Sequence, residues 1–178
     1  MAIIIVGVAD YQVSQDPKAI LITCALGSCI ALSLFDPVAG VGGLLHFMLP
    51  NAGNAASRPG FNPAMYGDTA IPLLMREMQK LGAHPRKLIA NLAGGSQILD
   101  PAGLFNIGKR NHVAAKNLLW KAGILVRSEA VGGSITRSFG LQIGNGQTWL
   151  KEMDSSNPSC ADGEGFPKGN DVLSSTRG

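Results

Sequence analysis

The chain lacks most of the features on which common function classes depend. Aromatic residues make up only 6% of its 178 residues, and no Lys/Arg run is present. A nucleic-acid surface of basic clusters and stacking platforms is therefore not expected. No apolar run approaches the roughly 18 residues that span a bilayer, so the chain is not expected to be membrane-inserted. The apolar start Met1-Ala2-Ile3-Ile4-Ile5-Val6-Gly7-Val8 is short and has no basic leader, so it is not read as a signal peptide. Cysteine is scarce. Cys24, Cys29 and Cys160 are an odd number at unrelated spacings, which argues against a disulfide framework and for a reducing compartment. Cys24, Cys29 and His46 do not make two metal-spaced pairs, so no metal is expected. Glycine-rich phosphate fingerprints between a strand and a helix are missing too.

What is present suits one globular domain with a sizeable core: 46% of the residues are hydrophobic. The net charge is +3, but the segment from Asp154 onward is net −2, leaving the rest about +5. That excess is a modest aid to meeting an acidic protein surface. Composition changes at the same point. Residues 1–153 read as the folded domain, and 154–178, rich in Ser, Asn, Gly, Pro and Asp, as a disordered tail.

Ile3 to Val8 is continuous and β-branched and reads as a buried strand. Asp10 to Lys18 reads as a connection, and Ala19 to Ala25 as a strand with Leu21 and Thr23 on one face. Asn51 to Met65 is rich in Asn, Gly, Ala and Pro and reads as a long loop, the kind that borders functional sites. Asp68 is placed as the N-cap of a helix from Thr69 to about Leu81, with Ile71, Leu74, Met75, Met78 and Leu81 as its buried stripe. Lys87 to Ala93 reads as a strand. A second helix runs from about Gly108 to Ala122, capped by Asn106, with Val113 or Ala114, Leu118 and Ala122 facing inward. Ile124 to Ala130 is a further strand, and Gly144-Asn145-Gly146 turns a hairpin between Arg137–Ile143 and Gln147–Met153. This order of hairpins and helices predicts an α+β domain, with two main helices packed on layered, mostly antiparallel strands.

The most informative stretch is Leu26-Gly27-Ser28-Cys29 through His46-Phe47-Met48-Leu49-Pro50. It reads as two apolar strands joined at Asp36-Pro37-Val38-Ala39-Gly40. If the loop is Pro37 to Gly40, Asp36 faces Val41, Ala31 faces His46 and Cys29 faces Met48. Alternation then puts Cys29, Ala31 and Ser33 on one face with Leu44, His46 and Met48. Cys29 and His46 become diagonal neighbours, roughly 7–8 Å apart at the backbone. A one-residue slip would separate them.

That geometry permits a thiol nucleophile and an imidazole base, in which a nearby imidazolium lowers the thiol pKa. A small buried cysteine is the plain alternative. Thr23, through its hydroxyl or its carbonyl, is the nearest group able to orient the imidazole. Gly27 and Ser28, leading into Cys29, are substrate-groove candidates. So are Gly94, Gly95 and Ser96, although a tight turn explains those three equally well. Cys24 reads as core, and His84 and His112 as surface residues.

The chain also resembles the bacterial chemoreceptor glutamine deamidases, the CheD family. The match rests on Leu26-Gly27-Ser28-Cys29, Asp36-Pro37, His46-Phe47-Met48-Leu49-Pro50, Asp68-Thr69-Ala70, Ala93-Gly94-Gly95, Asn106-Ile107-Gly108-x-Arg110-Asn111 and Gly132-Gly133. These occur in family order over nearly all of residues 3 to 153. The resemblance implies a layered α/β/β sandwich related to the cytotoxic necrotising factor-type deamidases. It implies deamidation of receptor glutamines to glutamates, with Cys29 as nucleophile, His46 as base and Thr23 as third member, and no metal or cofactor. It implies methyl-accepting chemotaxis receptors as partners, a CheC-type phosphatase that competes with them, and in some members receptor methyl-ester hydrolysis. The expected state is a cytoplasmic monomer. The rival readings are a non-catalytic module that binds receptor or phosphatase, and a transglutaminase that passes the same thioester to an amine.

Overall fold

The computed structural model describes residues 2–98, 100 and 102–153. The expected tail, 154–178, lies outside them. Nine strands and two helices follow in order: β1 Ala2–Ile5, β2 Asp10–Ser14, β3 Ala19–Leu26, β4 Ile30–Asp36, β5 Val41–Phe47, α1 Gly67–Lys80, β6 Ile89–Gly94, α2 Ile107–Lys121, β7 Leu125–Val131, β8 Thr136–Gln142 and β9 Thr148–Met153. The strands form a four-stranded sheet, β1-β3-β8-β9, and a five-stranded sheet, β2-β5-β4-β6-β7. Among the described strands only β1–β3 and β6–β7 pair in parallel, so the sheets are mostly antiparallel, as expected.

Strand alternation builds three layers. Ile30, Leu32, Leu34, Leu45 and Phe47 point to one face of the five-stranded sheet and pack with Ile71, Leu74 and Met78 of α1 and Ala115 and Leu119 of α2. Ala31, Phe35, Leu44 and Ala93 point to the other face and meet Leu21 of β3 and Phe139 and Leu141 of β8. The order is therefore helices, five-stranded sheet, four-stranded sheet. The central hairpin is buried on both faces, and every residue of β4 and β5 is inaccessible to solvent or nearly so.

Several boundaries differ from expectation for definable reasons. Ala2–Ile5 is an edge strand, with Ile3 and Ile5 exposed, and only Val6 beyond it is buried. A continuous apolar run does not distinguish an edge strand from a central one. Asp10–Ser14, expected to be a connection, is the edge strand beside β5. Asp68 lies within the first turn of α1, whose N-cap is Tyr66. Its carboxylate accepts the Ala52 N–H instead and ties the 51–65 loop to the helix. That loop contains two short 3-10 turns, Gly53–Ser57 and Pro63–Met65.

Helix α2 is rotated relative to the apolar stripe read from sequence. Its buried residues are Gly108, Asn111, Ala115 and Leu119, while Val113 and Trp120 are exposed. A Cβ at Gly108 would sit 2.4 Å from the Gly95 carbonyl oxygen. Gly108 is therefore the residue that allows the helix start to press against the turn after β6. That contact sets the rotation and carries the polar Asn111 inward.

Candidate active site

The chain crosses from the four-stranded to the five-stranded sheet between Leu26 and Ile30. Register shifts between Thr23 and Leu26 where β3 leaves β8, and Ala25 adopts φ 56°. Gly27, Ser28 and Cys29 form the crossing turn and are half-buried.

All three carbonyls of this turn are held. The Gly27 carbonyl accepts the Ser96 N–H at 2.8 Å and the Cys29 carbonyl accepts the Gly95 N–H at 2.8 Å. Asn111 Nδ2 donates to the Ser28 carbonyl at 2.9 Å and to the Met48 carbonyl at 2.8 Å. Two carbonyl acceptors require the NH₂ end of the carboxamide at that position, so Oδ1 points the other way. The close approach depends on glycine. At Gly94, with φ +108°, a Cβ would lie 2.2 Å from the Cys29 oxygen.

His46 lies near the end of β5, opposite Ala31 of β4 and Asp10 of β2. It shares the inter-sheet face with Leu44, and Cys29 packs against the same inter-sheet cluster. Asp36 pairs with Val41 and Ala31 with His46, as the sequence-derived register has them, but the expected Cys29–Met48 pair does not form. The ladder stops at Ile30 and Phe47; beyond it, the Met48 N–H turns to the Met65 carbonyl.

Thr23 reaches His46 from the opposite sheet. The Thr23 hydroxyl donates to the Val6 carbonyl at 2.9 Å, and its oxygen lies 2.8 Å from His46 Nδ1. A hydroxyl has one proton and a carbonyl can only accept. With that proton on Val6, Thr23 Oγ1 accepts from Nδ1–H. The imidazole proton is thereby assigned to Nδ1, and Nε2 carries the lone pair. Burial pushes the His46 pKa down to about 4. Burial also pushes the Cys29 thiol above its ordinary value, and the Cys29 N–H pulls it partly back. Burial thus acts on both side chains in favour of their neutral forms, against the thiolate–imidazolium pair that proximity would favour.

Among the described residues, two buried side-chain polar atoms have no hydrogen-bond partner: His46 Nε2 and Asn111 Oδ1. Each belongs to a residue that flanks the Cys29 turn. A buried polar atom left unpaired costs about 1–3 kcal/mol, and such costs concentrate where chemistry requires them.

The family model for CheD chemotactic sensory transduction matches residues 48–152. A probable chemoreceptor glutamine deamidase CheD of Solibacter usitatus is 51% identical over 149 residues, covering 84% of this chain and 88% of that protein. The chain belongs to the CheD family. Probable chemoreceptor glutamine deamidase CheD 1 of Syntrophus aciditrophicus is 40% identical, covering 85% of this chain and 94% of that protein. The chemoreceptor glutamine deamidase CheD of Thermotoga maritima is 37% identical, covering 84% of this chain and 91% of that protein.

In this CheD chain Thr23 and His46 are in contact, and Cys29 lies on their face of the core. Gly27 and Ser28 lie in the Cys29 turn. Ser28 and Ser96 border a cleft of about 160 Å³ that is also lined by Gln97, Asp100, Phe105, Ile107 and Gly108. Gly94 and Gly95 are buried, and the Gly95 and Ser96 N–H groups are spent on the turn. Ser96 Oγ donates to the Ile135 carbonyl and accepts from the buried Arg137 guanidinium, which also holds the Gly132 carbonyl.

Sequence reasoning missed two participants. The Val6 carbonyl carries no side-chain signal. Asn111 closes the motif Asn106-Ile107-Gly108-x-Arg110-Asn111, but the apolar periodicity of α2 points to another face than the buried one that carries it. Cys24 is half-buried instead of core, because it lies where β3 begins to leave β8. Cys29 is the free cysteine among the described residues. No cluster of metal-ligating side chains occurs among the described residues.

Proposed function

We propose that this chain is a chemoreceptor glutamine deamidase with Cys29 as nucleophile, His46 as general base and acid, and Thr23 as the group that orients His46. The carrying observation is the Thr23–His46 bond, which leaves an unprotonated Nε2 on the core face shared with Cys29. The relatives' names supply the substrate, a glutamine of a chemotaxis receptor.

Nε2 takes the thiol proton as Sγ attacks the carbonyl carbon of the glutamine side chain, and the carbonyl electrons move onto oxygen. Collapse of the tetrahedral adduct breaks the C–N bond. Ammonia leaves with the proton from Nε2, giving a thioester. Water then attacks the thioester carbon and gives a proton to Nε2. The second adduct expels the Cys29 sulfur, which recovers that proton. The sum is amide plus water to carboxylic acid plus ammonia. Burial, which disfavours the charged form of each side chain, is in keeping with proton transfer as the sulfur attacks.

On this reading the enzyme is a cytoplasmic monomer, and by family resemblance a CheC-type phosphatase competes with receptors for it. The test is mass spectrometry of a receptor cytoplasmic fragment incubated with wild type or Cys29→Ala. The expected result is a gain of about one mass unit at particular glutamines with wild type only, the amide-to-acid change of acyl transfer to water. Activity retained by Cys29→Ala, or no gain on several receptors that both proteins bind, overturns the reading. The second outcome favours the non-catalytic module. Adducts formed with an added primary amine would identify a transglutaminase.

A further inference from the structure

We infer that the backbone N–H groups of Ser28 and Cys29 form the oxyanion hole of this site, and that Asn111 is the residue that positions them. The inference rests on the deamidase reading above and assigns a part of the machinery that reading leaves open.

The argument begins with peptide geometry. In a planar trans peptide the C=O of one residue and the N–H of the next point in opposite directions. The Gly27 carbonyl points to the Ser96 N–H, so the Ser28 N–H points away from Ser96. The Ser28 carbonyl points to Asn111 Nδ2, so the Cys29 N–H points away from Asn111. Tying down these consecutive carbonyls on the scaffold side thus turns two consecutive amides outward. Among the described residues neither amide donates to an acceptor elsewhere in the chain. The Cys29 N–H instead lies against its own sulfur. The oxygen of a tetrahedral adduct bonded through that sulfur develops its negative charge within reach of the same N–H.

Asn111 is the side chain in this clamp. The Gly27 and Cys29 carbonyls are held by backbone N–H groups of the turn after β6, whereas the Ser28 carbonyl is held by a carboxamide 83 residues away in sequence. The Ser28–Cys29 peptide is the plane that carries the nucleophile's own N–H. The second Nδ2 hydrogen holds Met48, two residues past His46, where the β4–β5 ladder has ended. One NH₂ group therefore sets the nucleophile turn relative to the strand of the base. Its Oδ1 is buried without a partner, so the two donated bonds are what this side chain contributes.

The experiment compares wild type with Asn111→Leu, which keeps the side chain's approximate volume and removes its donors. Three quantities are read: kcat, KM and the rate of Cys29 alkylation by iodoacetamide. Alkylation displaces iodide at a CH₂ carbon and builds no oxyanion. The expected result is a kcat loss of about a hundredfold, with KM and the alkylation rate little changed. An unchanged kcat overturns the inference. A parallel fall in alkylation also overturns it, because Asn111 would then act on the thiol or on the fold.

A second measurement covers the case in which the variant does not fold, and it does not require turnover. A peptide carrying the aldehyde counterpart of glutamine is added to ¹⁵N-labelled wild type, where Cys29 adds to it as a hemithioacetal. The Ser28 and Cys29 amide protons are expected to move downfield more than any others. If they stay in place while the adduct forms, the inference fails. Absence of wild-type deamidation, with the amide shifts present, would instead count against the deamidase reading alone.

Discussion

The Thr23 hydroxyl oxygen lies 2.8 Å from Nδ1 of His46, across the layer between the two sheets. Thr23 comes from the four-stranded sheet and His46 from the five-stranded one, and both are buried. The contact joins the packing of the sandwich to the tautomer of His46.

Replacing Thr23 with Val keeps the shape and removes the hydroxyl. The buried Val6 carbonyl then loses its donor and the buried Nδ1–H loses its acceptor. Stability is expected to fall by about 2 kcal/mol in urea unfolding. kcat for deamidation is expected to fall at least about tenfold, as the base loses its tautomer and orientation. Thr23→Ser, which keeps the hydroxyl, is expected to restore most of both. A Thr23→Val enzyme of wild-type kcat would remove Thr23 from the mechanism.

The pH dependence follows from burial of His46. Its folded pKa, about 4, lies below the ordinary value near 6.5. Between these values the unfolded chain binds a proton that the native state refuses, so stability falls as pH drops through that window. The loss is about 3 kcal/mol by pH 4 and is absent above pH 6.5. Unfolding midpoints for wild type and His46→Gln at pH 7 and pH 4.5 isolate it, since other carboxylates titrate in both proteins. The acid limb of kcat/KM is likewise expected near pH 4, not near 6.5. A limb at 6.5 would mean that the base titrates as an exposed imidazole.

Two glycines at positive φ separate strain from crowding. Gly40 has φ +66° and open space around a built Cβ, whereas Gly94 has φ +108° and the Cys29 oxygen 2.2 Å away. Gly40→Ala is expected to cost about 1–2 kcal/mol. Gly94→Ala is expected to cost more than about 3 kcal/mol and to abolish deamidation, because the crowded oxygen is itself bonded to the Gly95 N–H. Equal costs at the two sites would show that the clamp on the turn is slack.

The hairpin that carries His46 was legible because a hairpin is a local object. The turn Pro37 to Gly40 sets the loop length, and parity sets the pairs Asp36 with Val41 and Ala31 with His46; Cys29, one residue before the ladder, packs against the same inter-sheet cluster. The first helix was legible from its stripe of Ile71, Leu74 and Met78. The second was misread in rotation, because Gly108, a residue with no hydrophobic signal, governs its contact with the turn after β6. Periodicity weighs side chains and does not see a close approach between backbones.

The amino-acid sequence by itself determined the hairpin and its register, the number of helices, and the motifs by which the family is recognised, because each depends on residues near one another in the chain. Tertiary structure decided which strands became edges, that the Thr23 hydroxyl meets Nδ1 of His46, and that Asn111 holds the carbonyls of Ser28 and Met48. These contacts join residues 23, 83 and 63 positions apart. No local pattern encodes them; they form only when packing brings the two sheets and α2 to one place, where buried polar groups must find partners. Burial bears on the charge state as well, since proximity alone favours an ion pair and desolvation favours the neutral forms of Cys29 and His46.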